Sequence, residues 1–419
     1  MTKASQKTAG QPGVDPLRRA QRIGDISVSP IVTMSEAARQ RRSEGRPVIS
    51  LSIGEPDFNP PPHIGEAAIA AIGRNDIKYP PLGGKPALRE AIATRYAELG
   101  MEQCSIANTL VSSGAKQTLY NAFMATLNPG DEVILPAPYW VSYADIVRIC
   151  GGVPVTIACQ QQHGFRLQPE QLEKAISNRT RWLLINSPSN PSGAVLDSED
   201  LRRLGAVLAD HPHVGLMSDE IYEDLAYGRT RADSIASVLP ELADRSLIIS
   251  GVSKSWAMTG WRLGWGVGPQ RLIRAMMDIQ AQNTSGTCSI AQAAALAALT
   301  GPADSLVSNR SSYERRRDIV CAALSAMPGI SCSIPDGAFY VFPSWQALIG
   351  ARTADGRMLQ NDMDFCHYLL DTAEIATVPG EAFAMAGHLR LSYACSEAEL
   401  TEAMQRMTIA VKALEKSAN

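Results

Sequence analysis

Cysteine is scarce in this sequence, and the cysteines are scattered along the chain. There are eight of them in 419 residues. No two form a CxxC pair, and cysteine and histidine residues are nowhere grouped at the spacing of a zinc site. The sequence therefore argues against a disulfide framework and gives no sign of a metal site. It predicts reduced thiols in a cytoplasmic protein.

An excess of charge of one sign is also lacking, and so is any long apolar run. The formal net charge is -3 and 45% of the residues are hydrophobic, which is ordinary for a globular protein. This balance gives no reason to expect nucleic acid or a membrane as a partner. The run Ile290–Leu299 is too short to span a bilayer and predicts a buried helix. Residues 1–22 are polar and lack the apolar core of a secretory signal, so we expect a loose tail there.

Helix and strand patterns alternate along most of the chain. Apolar runs of strand length recur between stretches of helical periodicity. Strands are predicted at 48–52, 132–135, 153–157, 183–186, 214–218 and 247–250, and helices at 85–99, 116–127, 141–149 and after Asp197. This order predicts an α/β fold with a mostly parallel sheet that carries helices on both faces.

The pattern changes after residue 303. A long helix with a charged run leads into short strands near 331, at 339–342, near 375 and at 389–392, with helices at 362–370 and from Ser396. These elements predict a smaller α+β domain. We expect four parts: the tail at 1–22, an N-terminal part of the small domain at 23–63, a large domain at 64–302, and a C-terminal part of the small domain at 303–419.

The segment with the most chemical information is residues 250–262, SGVSKSWAMTGWR. Lys254 stands there among small residues, where partial burial would favour the neutral amine, a nucleophile toward aldehydes. Arg262 has a planar guanidinium that suits a phosphate dianion. An amine nucleophile beside a phosphate site suggests pyridoxal phosphate. Taken alone, the segment fits a solvated surface lysine better.

Three further segments lie near the ends of predicted strands, where α/β sheets bind their ligands. Gly114 opens a helix whose N–H groups would attract an anion, although an ordinary helix cap also fits. Asp219 ends a buried strand and could pair with a protonated pyridine nitrogen, whereas Glu220 would face the opposite side. Asn190 lies in a loop that by composition is a turn. Residues 264–268, GWGVG, lack the spacing of a dinucleotide-binding loop.

Together these segments resemble a known family. Their order and combination are similar to the class I/II aminotransferases of fold type I, and closest to the bacterial aspartate aminotransferases. The resemblance covers residues 22–409. It rests on the segments SIGEPDF (52–58), KYPPLGG (78–84), SSGAK (112–116), PYW (138–140), NPSG (190–193), SDEIY (218–222), the Lys254 segment and LRLSY (389–393). It implies a large domain with a mostly parallel seven-stranded sheet sandwiched by helices, and a small α+β domain formed by both chain ends.

The resemblance also implies pyridoxal 5'-phosphate as cofactor and a role for each site residue. Lys254 would hold the cofactor as a Schiff base and later move the proton at the substrate Cα. Asp219 would keep the pyridine nitrogen protonated, and Arg390 would bind the substrate α-carboxylate. The remaining assignments are Tyr222 and Asn190 at the ring oxygen, Trp140 on the ring face, Arg262, Ser253, Gly114, Ala115 and Lys116 at the phosphate, and Gly54, Trp140, Asn190 and Lys116 beside the substrate.

Tyr79 is expected, on the same resemblance, to reach the phosphate bound in a neighbouring subunit. A homodimer with shared active sites is therefore implied as well. Residues 282–288, QNTSGTC, would face the partner's site, and they differ from the usual form of that segment, which contains Ser/Thr-Pro.

The implied reaction is a two-step transfer with ping-pong kinetics. An L-amino acid leaves its nitrogen on the cofactor and departs as a 2-oxo acid, and a second 2-oxo acid takes that nitrogen. Lys116 matches a lysine that reads a side-chain carboxylate, which favours aspartate as donor and 2-oxoglutarate as acceptor. A solvated Lys116 is the alternative.

Other functions stay open at this point. Residues 27–31, SVSPI, lack the lysine and threonine of the relatives that use prephenate, which puts prephenate in doubt and leaves a broad, aromatic or other amino-acid specificity possible. A carbon–sulfur β-lyase would use the same Lys254, Asp219 and Arg390. A non-catalytic regulator on this scaffold would need an N-terminal DNA-binding module, for which the tail before Arg22 is too short.

Overall fold

Helices and strands alternate in a computed structural model, which describes residues 17, 19–24, 26 and 29–415. Within these residues the α-helices are α1 Pro30–Ser43, α2 Pro62–Gly73, α3 Pro86–Glu98, α4 Ala115–Thr126, α5 Ser142–Ile149, α6 Pro169–Ala175, α7 Ser198–Asp210, α8 Ile235–Val238, α9 Gln270–Asn283, α10 Ser289–Thr300, α11 Asp304–Ser325, α12 Asp362–Thr372 and α13 Glu397–Lys412. The strands are β1 Ile49–Ser50, β2 Thr109–Ser112, β3 Glu132–Ala137, β4 Val153–Ala158, β5 Thr180–Asn186, β6 Gly215–Asp219, β7 Ser246–Gly251, β8 Gly264–Val267, β9 Tyr340–Val341, β10 Ile375–Ala376, β11 Val378–Pro379 and β12 Leu389–Ser392.

The large sheet of the described chain has seven strands in the order β2-β8-β7-β6-β5-β3-β4. Strands β7, β6, β5, β3 and β4 pair in parallel, whereas β8 runs antiparallel to both of its neighbours. The mostly parallel sheet predicted above is confirmed. Asn186, Asp219 and Gly251 are the last residues of β5, β6 and β7. Because parallel strands end at one edge of a sheet, these three residues mark the edge where a ligand is expected.

Apolar side chains cover both faces of this sheet, because successive residues of a strand point to opposite sides. On β5, Leu183 and Ile185 belong to one buried cluster and Leu184 belongs to another. Residues of α2, α3, α7 and α10 complete the first cluster, and residues of α4, α5 and α9 complete the second. Each fully buried side chain of this kind contributes about 1.5–3 kcal/mol, so the strands that carry the site are firmly held.

Both ends of the chain contribute to a second, smaller part of the fold. Ile49 of β1 pairs in parallel with Ile375 of β10, and β12 lies antiparallel between β11 and β9. Helices α1, α11, α12 and α13 pack around a third buried cluster in this region. This is the α+β texture predicted from the sequence. The domain boundaries at residues 22, 63 and 302 stay a prediction.

Some elements differ from the sequence predictions. The strand patterns do not predict β2 or β8, and the helix patterns do not predict α1, α2 or α9. Strand β8 lies within the segment GWGVG. Gly264 allows the sheet to approach α4 closely, because a Cβ at this position would lie 2.4 Å from the backbone nitrogen of Ala115. The strand expected near Ser331 is an isolated bridge to Ser344. Most of the expected tail, together with residues 27 and 28, lies outside the described residues.

No single helix in the described ranges is both long and apolar enough to cross a membrane. Helices α10 and α11 satisfy that criterion only when they are taken together, and they meet at an angle of 82°. The run Ile290–Leu299, predicted to be a buried helix, lies within α10, where Ala294 and Ala295 are fully buried.

Candidate active site

A cavity of about 320 Å³ opens at the carboxyl edge of the central sheet. Asn186 and Asp219, at the ends of β5 and β6, lie in its wall. The structure brings eleven of the predicted site residues together around this cavity, namely Gly54, Ala115, Lys116, Trp140, Asn190, Asp219, Tyr222, Ser253, Lys254, Arg262 and Arg390. Gly114 adjoins the wall as the N-cap of α4. Tyr79 lies elsewhere.

Lys254 projects into the cavity from the turn that follows β7. Its Nζ donates a hydrogen bond to the carbonyl oxygen of Gly54 at 2.5 Å. Burial lowers the pKa of Lys254 to about 8, and the nearby cations Arg390 and Arg262 act in the same direction. A lysine with this pKa is a neutral nucleophile in a substantial fraction of molecules near neutral pH.

Asp219 is a buried carboxylate at the end of β6. It accepts a hydrogen bond from the hydroxyl of Tyr143 at 2.7 Å and one from the backbone N–H of Ile221 at 3.2 Å. Burial raises the pKa of Asp219 to about 6, while the Tyr143 hydrogen bond and Lys254 oppose the rise. Among the described residues this carboxylate has no cationic hydrogen-bond partner, and a protonated heterocyclic nitrogen would supply one.

The first turn of α4 and Arg262 form a corner suited to an anion. Gly114 has a φ of +88°, and a Cβ at that position would lie 2.6 Å from the Arg262 guanidinium. Glycine is therefore needed for this close approach. Arg262 itself adopts a left-handed backbone conformation with a φ of +52° and donates to the carbonyl of Thr259 at 2.8 Å. Free N–H groups of a helix N-terminus beside a guanidinium are typical of a phosphate site.

Arg390 lies on β12 with only 2% of its surface exposed. Its guanidinium donates to the side-chain oxygen of Asn190 at 3.1 Å and to the carbonyl of Ser52 at 2.6 Å. The Nε atom has no partner among the described residues, and the ring of Tyr340 lies 4.7 Å from the guanidinium carbon. Burial lowers the pKa of Arg390. Within the described part of the chain, the printed contacts of this buried cation are with neutral groups, so it is well placed to bind a carboxylate.

Lys116 reaches the cavity from α4 and is therefore not directed away from the site. Its Nζ lies 4.5 Å from the centre of the Trp140 ring, and Trp140 in turn packs edge-on against Tyr143 at 5.4 Å. Partial burial and the neighbouring Arg262 lower the pKa of Lys116, whereas Asp145 opposes them. The cavity thus has a second cation besides Arg390 that could read a carboxylate.

Several residues of the cavity wall are not predicted from the sequence. Tyr143 contacts Asp219, and Tyr340 shares a hydrogen bond of 2.9 Å with the hydroxyl of Tyr222. Asn186 binds the backbone carbonyl of Asp219 through its amide. Ile31, at the start of α1, also lines the cavity. Asn186 had a signal in the sequence as the polar residue that ends an apolar strand, and Ile31 belongs to the segment 27–31 discussed above for substrate choice. Tyr143 and Tyr340 had none, because they meet the site through tertiary packing.

Tyr79 is 90% exposed and lies outside the cavity of its own chain. It lines a surface groove together with Ile77, Pro80 and residues 284–290. This groove contains most of the segment QNTSGTC that is predicted to face a partner. An exposed tyrosine beside exposed Ile77 forms an apolar patch of the kind that marks interaction surfaces.

Comparisons with known proteins fit this geometry. The family model of the aminotransferases of class I and II matches residues 46–407. The chain belongs to this family. It is a transaminase that acts on amino and 2-oxo acids, and family members of this type use pyridoxal phosphate.

Individual relatives agree over nearly the whole length. The chain is 49% identical to an aspartate aminotransferase of Rhizobium meliloti (strain 1021), over 93% of this chain and 95% of the relative. It is 46% identical to a probable aspartate/prephenate aminotransferase of Rhizobium leguminosarum bv. phaseoli, over 93% and 97% of the two chains.

Solved structures show the same fold. The crystal structure of an aspartate aminotransferase from Rhizobium meliloti superposes with a TM-score of 0.92 at 48% identity, covering 95% of this chain and 100% of that one. The Thermus thermophilus aspartate aminotransferase with maleate gives a TM-score of 0.87 at 38% identity, covering 94% and 99%. The predicted fold-type-I architecture of the aminotransferases is therefore confirmed.

Proposed function

We propose that this aminotransferase takes aspartate as amino donor and 2-oxoglutarate as acceptor. The observation that carries the proposal is that Arg390 and Lys116 lie in one cavity, in addition to Lys254 and to Arg262 at the proposed phosphate corner. A dicarboxylic amino acid offers one carboxylate to Arg390 and the other to Lys116. In a partly desolvated cavity such pairs are much stronger than in water. The names of the relatives given above, an aspartate aminotransferase and a probable aspartate/prephenate aminotransferase, agree with this charge pattern.

The residues of the cavity suit pyridoxal phosphate. The N-terminus of α4, Ser253 and Arg262 would hold the phosphate, and Trp140 would cover one face of the ring. Asp219, oriented by Tyr143, would accept a hydrogen bond from the protonated ring nitrogen, with Tyr222 and Asn190 near the ring oxygen. When bound, the cofactor supplies an acceptor for the electrons released as a bond at the substrate Cα breaks.

The chain's own groups would then divide the remaining work. Arg390 would fix the α-carboxylate through a two-pronged ion pair, which orients the Cα–H bond. Lys254, with its pKa lowered to about 8, would move the proton from the substrate Cα to the C4′ atom of the cofactor, and in the second half of the reaction it would move a proton from C4′ to the Cα of the new amino acid. Each half would be complete without the second substrate, which gives ping-pong kinetics.

A second candidate is a broader specificity that includes aromatic or aliphatic amino acids. Ile31 and the Trp140 ring give the same cavity an apolar wall, and Lys116 lies across the ring face at 4.5 Å. The apolar side chain of a substrate would bury surface against Ile31 and Trp140 and would not require a charged partner. A position for Lys116 that is swung away from the ring would favour this candidate.

The active unit is proposed to be a homodimer. Tyr79 has no role within its own cavity, and its exposed ring lies beside Ile77 and residues 284–290. A second copy that buried this patch would bring Tyr79 toward the phosphate corner of the neighbouring subunit. The molecular mass in solution tests whether the protein is a dimer. Measuring both the mass and the cofactor affinity of Tyr79→Phe then separates loss of cofactor affinity from loss of the dimer.

The cytoplasm is the proposed location. All eight cysteines are free thiols, and Cys150, Cys159, Cys321 and Cys366 are buried. Disulfide-free proteins with this many thiols are typical of reducing compartments. Fractionation of the source cells would test the location.

One experiment separates the candidate functions. The cofactor-loaded protein is mixed with single L-amino acids in turn, and conversion of the cofactor to its amine form is followed by absorbance. The proposal expects aspartate and glutamate to react at least about tenfold faster than phenylalanine or leucine. Equal or faster reaction of apolar amino acids would favour the second candidate. Release of pyruvate and ammonia from cysteine-type substrates would instead indicate a carbon–sulfur β-lyase.

A further inference from the structure

The turn after β6 presents two faces with different partners. Asp219 and Tyr222 line the cavity, whereas Glu220, Glu223 and Asp224 do not. These three carboxylates are all less than 5% exposed. Burial of three acids within five residues is costly unless other groups compensate it. The hydrogen-bond and ion-pair partners of these carboxylates therefore indicate the role of this side of the turn.

Two of the carboxylates bind the segment that carries Lys254. The hydroxyl of Ser250 donates to Glu223 at 2.8 Å, and the nearby hydroxyl of Ser255 helps to lower the pKa of Asp224. Ser250 precedes Lys254 near the end of β7, and Ser255 follows it directly. The turn that holds Asp219 is thus hydrogen-bonded to the end of β7 just before Lys254, and its Asp224 lies near Ser255, the residue just after the lysine.

Arg95, on α3, holds these two carboxylates together. One guanidinium nitrogen lies 3.2 Å from both oxygens of Asp224 and 3.3 Å from Glu223. Arg231 is the second cation, at 3.2 Å from Asp224 and 3.8 Å from Glu223. The Arg95 side chain is 18% exposed and that of Arg231 is 23% exposed. The outer oxygen of Glu223 and that of Glu220 have no hydrogen-bond partner among the described residues.

We propose that Arg95 is a positioning residue for the reaction at Lys254, acting through Glu223 and Asp224 on the hydroxyls of Ser250 and Ser255. The inference rests on the proposed role of Lys254. Arg95 is not among the described residues that line the cavity. It holds Glu223 and Asp224 in place through its guanidinium and helps to lower the pKa of Asp224, and so fixes Lys254 relative to Asp219. Removing its charge leaves two buried carboxylates with one guanidinium, and the Lys254 turn loosens.

The test compares Arg95→Met with wild type in two measurements. In the cofactor-free protein, the rate of Lys254 modification by acetic anhydride is followed against pH by mass spectrometry. We expect the midpoint to move upward by about one pH unit, because a looser turn hydrates the lysine and so removes part of the burial that lowers its pKa. In the loaded enzyme we expect kcat to fall about tenfold or more while KM changes less than about threefold, because the lysine is misplaced but Arg390 is intact.

Three matched variants make the result decisive. Arg41→Met removes a similarly half-buried arginine, which pairs with Asp371 at 2.5 Å far from the cavity, and should leave the midpoint and kcat unchanged. Arg95→Lys retains the charge and should recover most of both. Ser250→Ala keeps every charge and removes the hydrogen bond to Glu223. It should shift the Lys254 midpoint and kcat in the same directions as Arg95→Met.

An Arg95→Met variant that loses thermal stability like Arg41→Met, with an unchanged Lys254 midpoint and kcat, would overturn the proposal. So would a Ser250→Ala variant identical to wild type in both measurements. The midpoint does not depend on which amino acid is the substrate. A failure of aspartate as donor would therefore leave this readout intact, and the two proposals can fail separately.

Discussion

The carbonyl oxygen of Gly54 accepts a hydrogen bond from Nζ of Lys254 at 2.5 Å, across 200 residues of sequence. Gly54 comes from the N-terminal segment just after β1, and Lys254 comes from the turn after β7. The contact joins the small α+β part of the fold to the edge of the central sheet. It also keeps the amine inside the cavity and directed away from bulk water.

Gly54→Ala should damage this arrangement. A Cβ at residue 54 would lie 2.7 Å from the Tyr340 hydroxyl, so either the segment or Tyr340 must shift. We expect kcat/KM to fall by about tenfold to hundredfold, since small displacements of reacting groups have effects of that size. Gly65→Ala on α2 is the control, because a Cβ there meets nothing within 4 Å. Equal kinetics for the two variants would contradict the role given to Gly54.

Asp219→Asn should stabilise the cofactor-free protein while it abolishes transamination. Burial raises the pKa of Asp219 from 3.8 to about 6, so the ionised form opposes folding. Because the pKa is higher in the folded protein, ionisation of Asp219 does not change the free energy of unfolding below about pH 4. It lowers that free energy by its full amount above about pH 6. The variant should therefore gain about 1–3 kcal/mol in free energy of unfolding at pH 7, and the gain should shrink toward pH 4. Urea unfolding at both pH values measures it, and an unchanged or lower stability at pH 7 would be inconsistent with a buried, strained carboxylate.

Tyr143→Phe should shift the pH dependence of cofactor binding. The hydrogen bond from Tyr143 favours ionised Asp219, and its loss should raise the pKa of that carboxyl further above about 6. Neutral Asp219 cannot form an ion pair with a protonated nitrogen. As the pH is lowered, cofactor binding by the variant should therefore begin to weaken at a higher pH than in the wild type. Tyr139→Phe removes a comparable buried hydroxyl, which contacts Thr156 at 3.2 Å, and should leave the acid limb in place. Identical limbs in both variants would count against the assignment of Asp219.

Lys116→Met should change substrate preference more than overall rate. It keeps the length and apolar stem of the side chain while it removes the charge beside Trp140. We expect kcat/KM for aspartate to fall at least about tenfold and that for phenylalanine to stay level or rise, because one buried charge pair is lost and an apolar contact is gained. Half-reaction rates with the two amino acids provide the ratio. A parallel loss for both substrates would show that Lys116 supports the cofactor phosphate instead.

The sequence predicts the charged residues of the candidate site better than the neutral residues that surround them. Lys254, Asp219 and Arg390 could be named because each carries a charge that a specific step requires and stands in a recognisable segment. Tyr143 and Tyr340 could not, because a tyrosine on the apolar face of α5 or in a two-residue strand resembles an ordinary core residue. They become functional only when packing brings them to Asp219 and Tyr222.

Parts of the fold escaped prediction for a related reason. The segment GWGVG has the low strand propensity of glycine, yet it forms β8 because its neighbours β2 and β7 require a partner and because Gly264 allows contact with Ala115. Strands β1 and β10 lie where strands were predicted, at 48–52 and near 375, but local patterns cannot show that Ile49 pairs with Ile375.

The central claim is that the amine of Lys254 performs the proton transfer in an enzyme that works in two separate halves. The most direct measurement is the amount of 2-oxo acid released when the cofactor-loaded protein meets aspartate with no acceptor present. We predict about one equivalent per active site and then no more, because the nitrogen stays on the cofactor. Lys254→Ala, which should still bind the cofactor noncovalently, should release essentially none. Continued release by the wild type, or an undiminished burst from Lys254→Ala, would contradict the account.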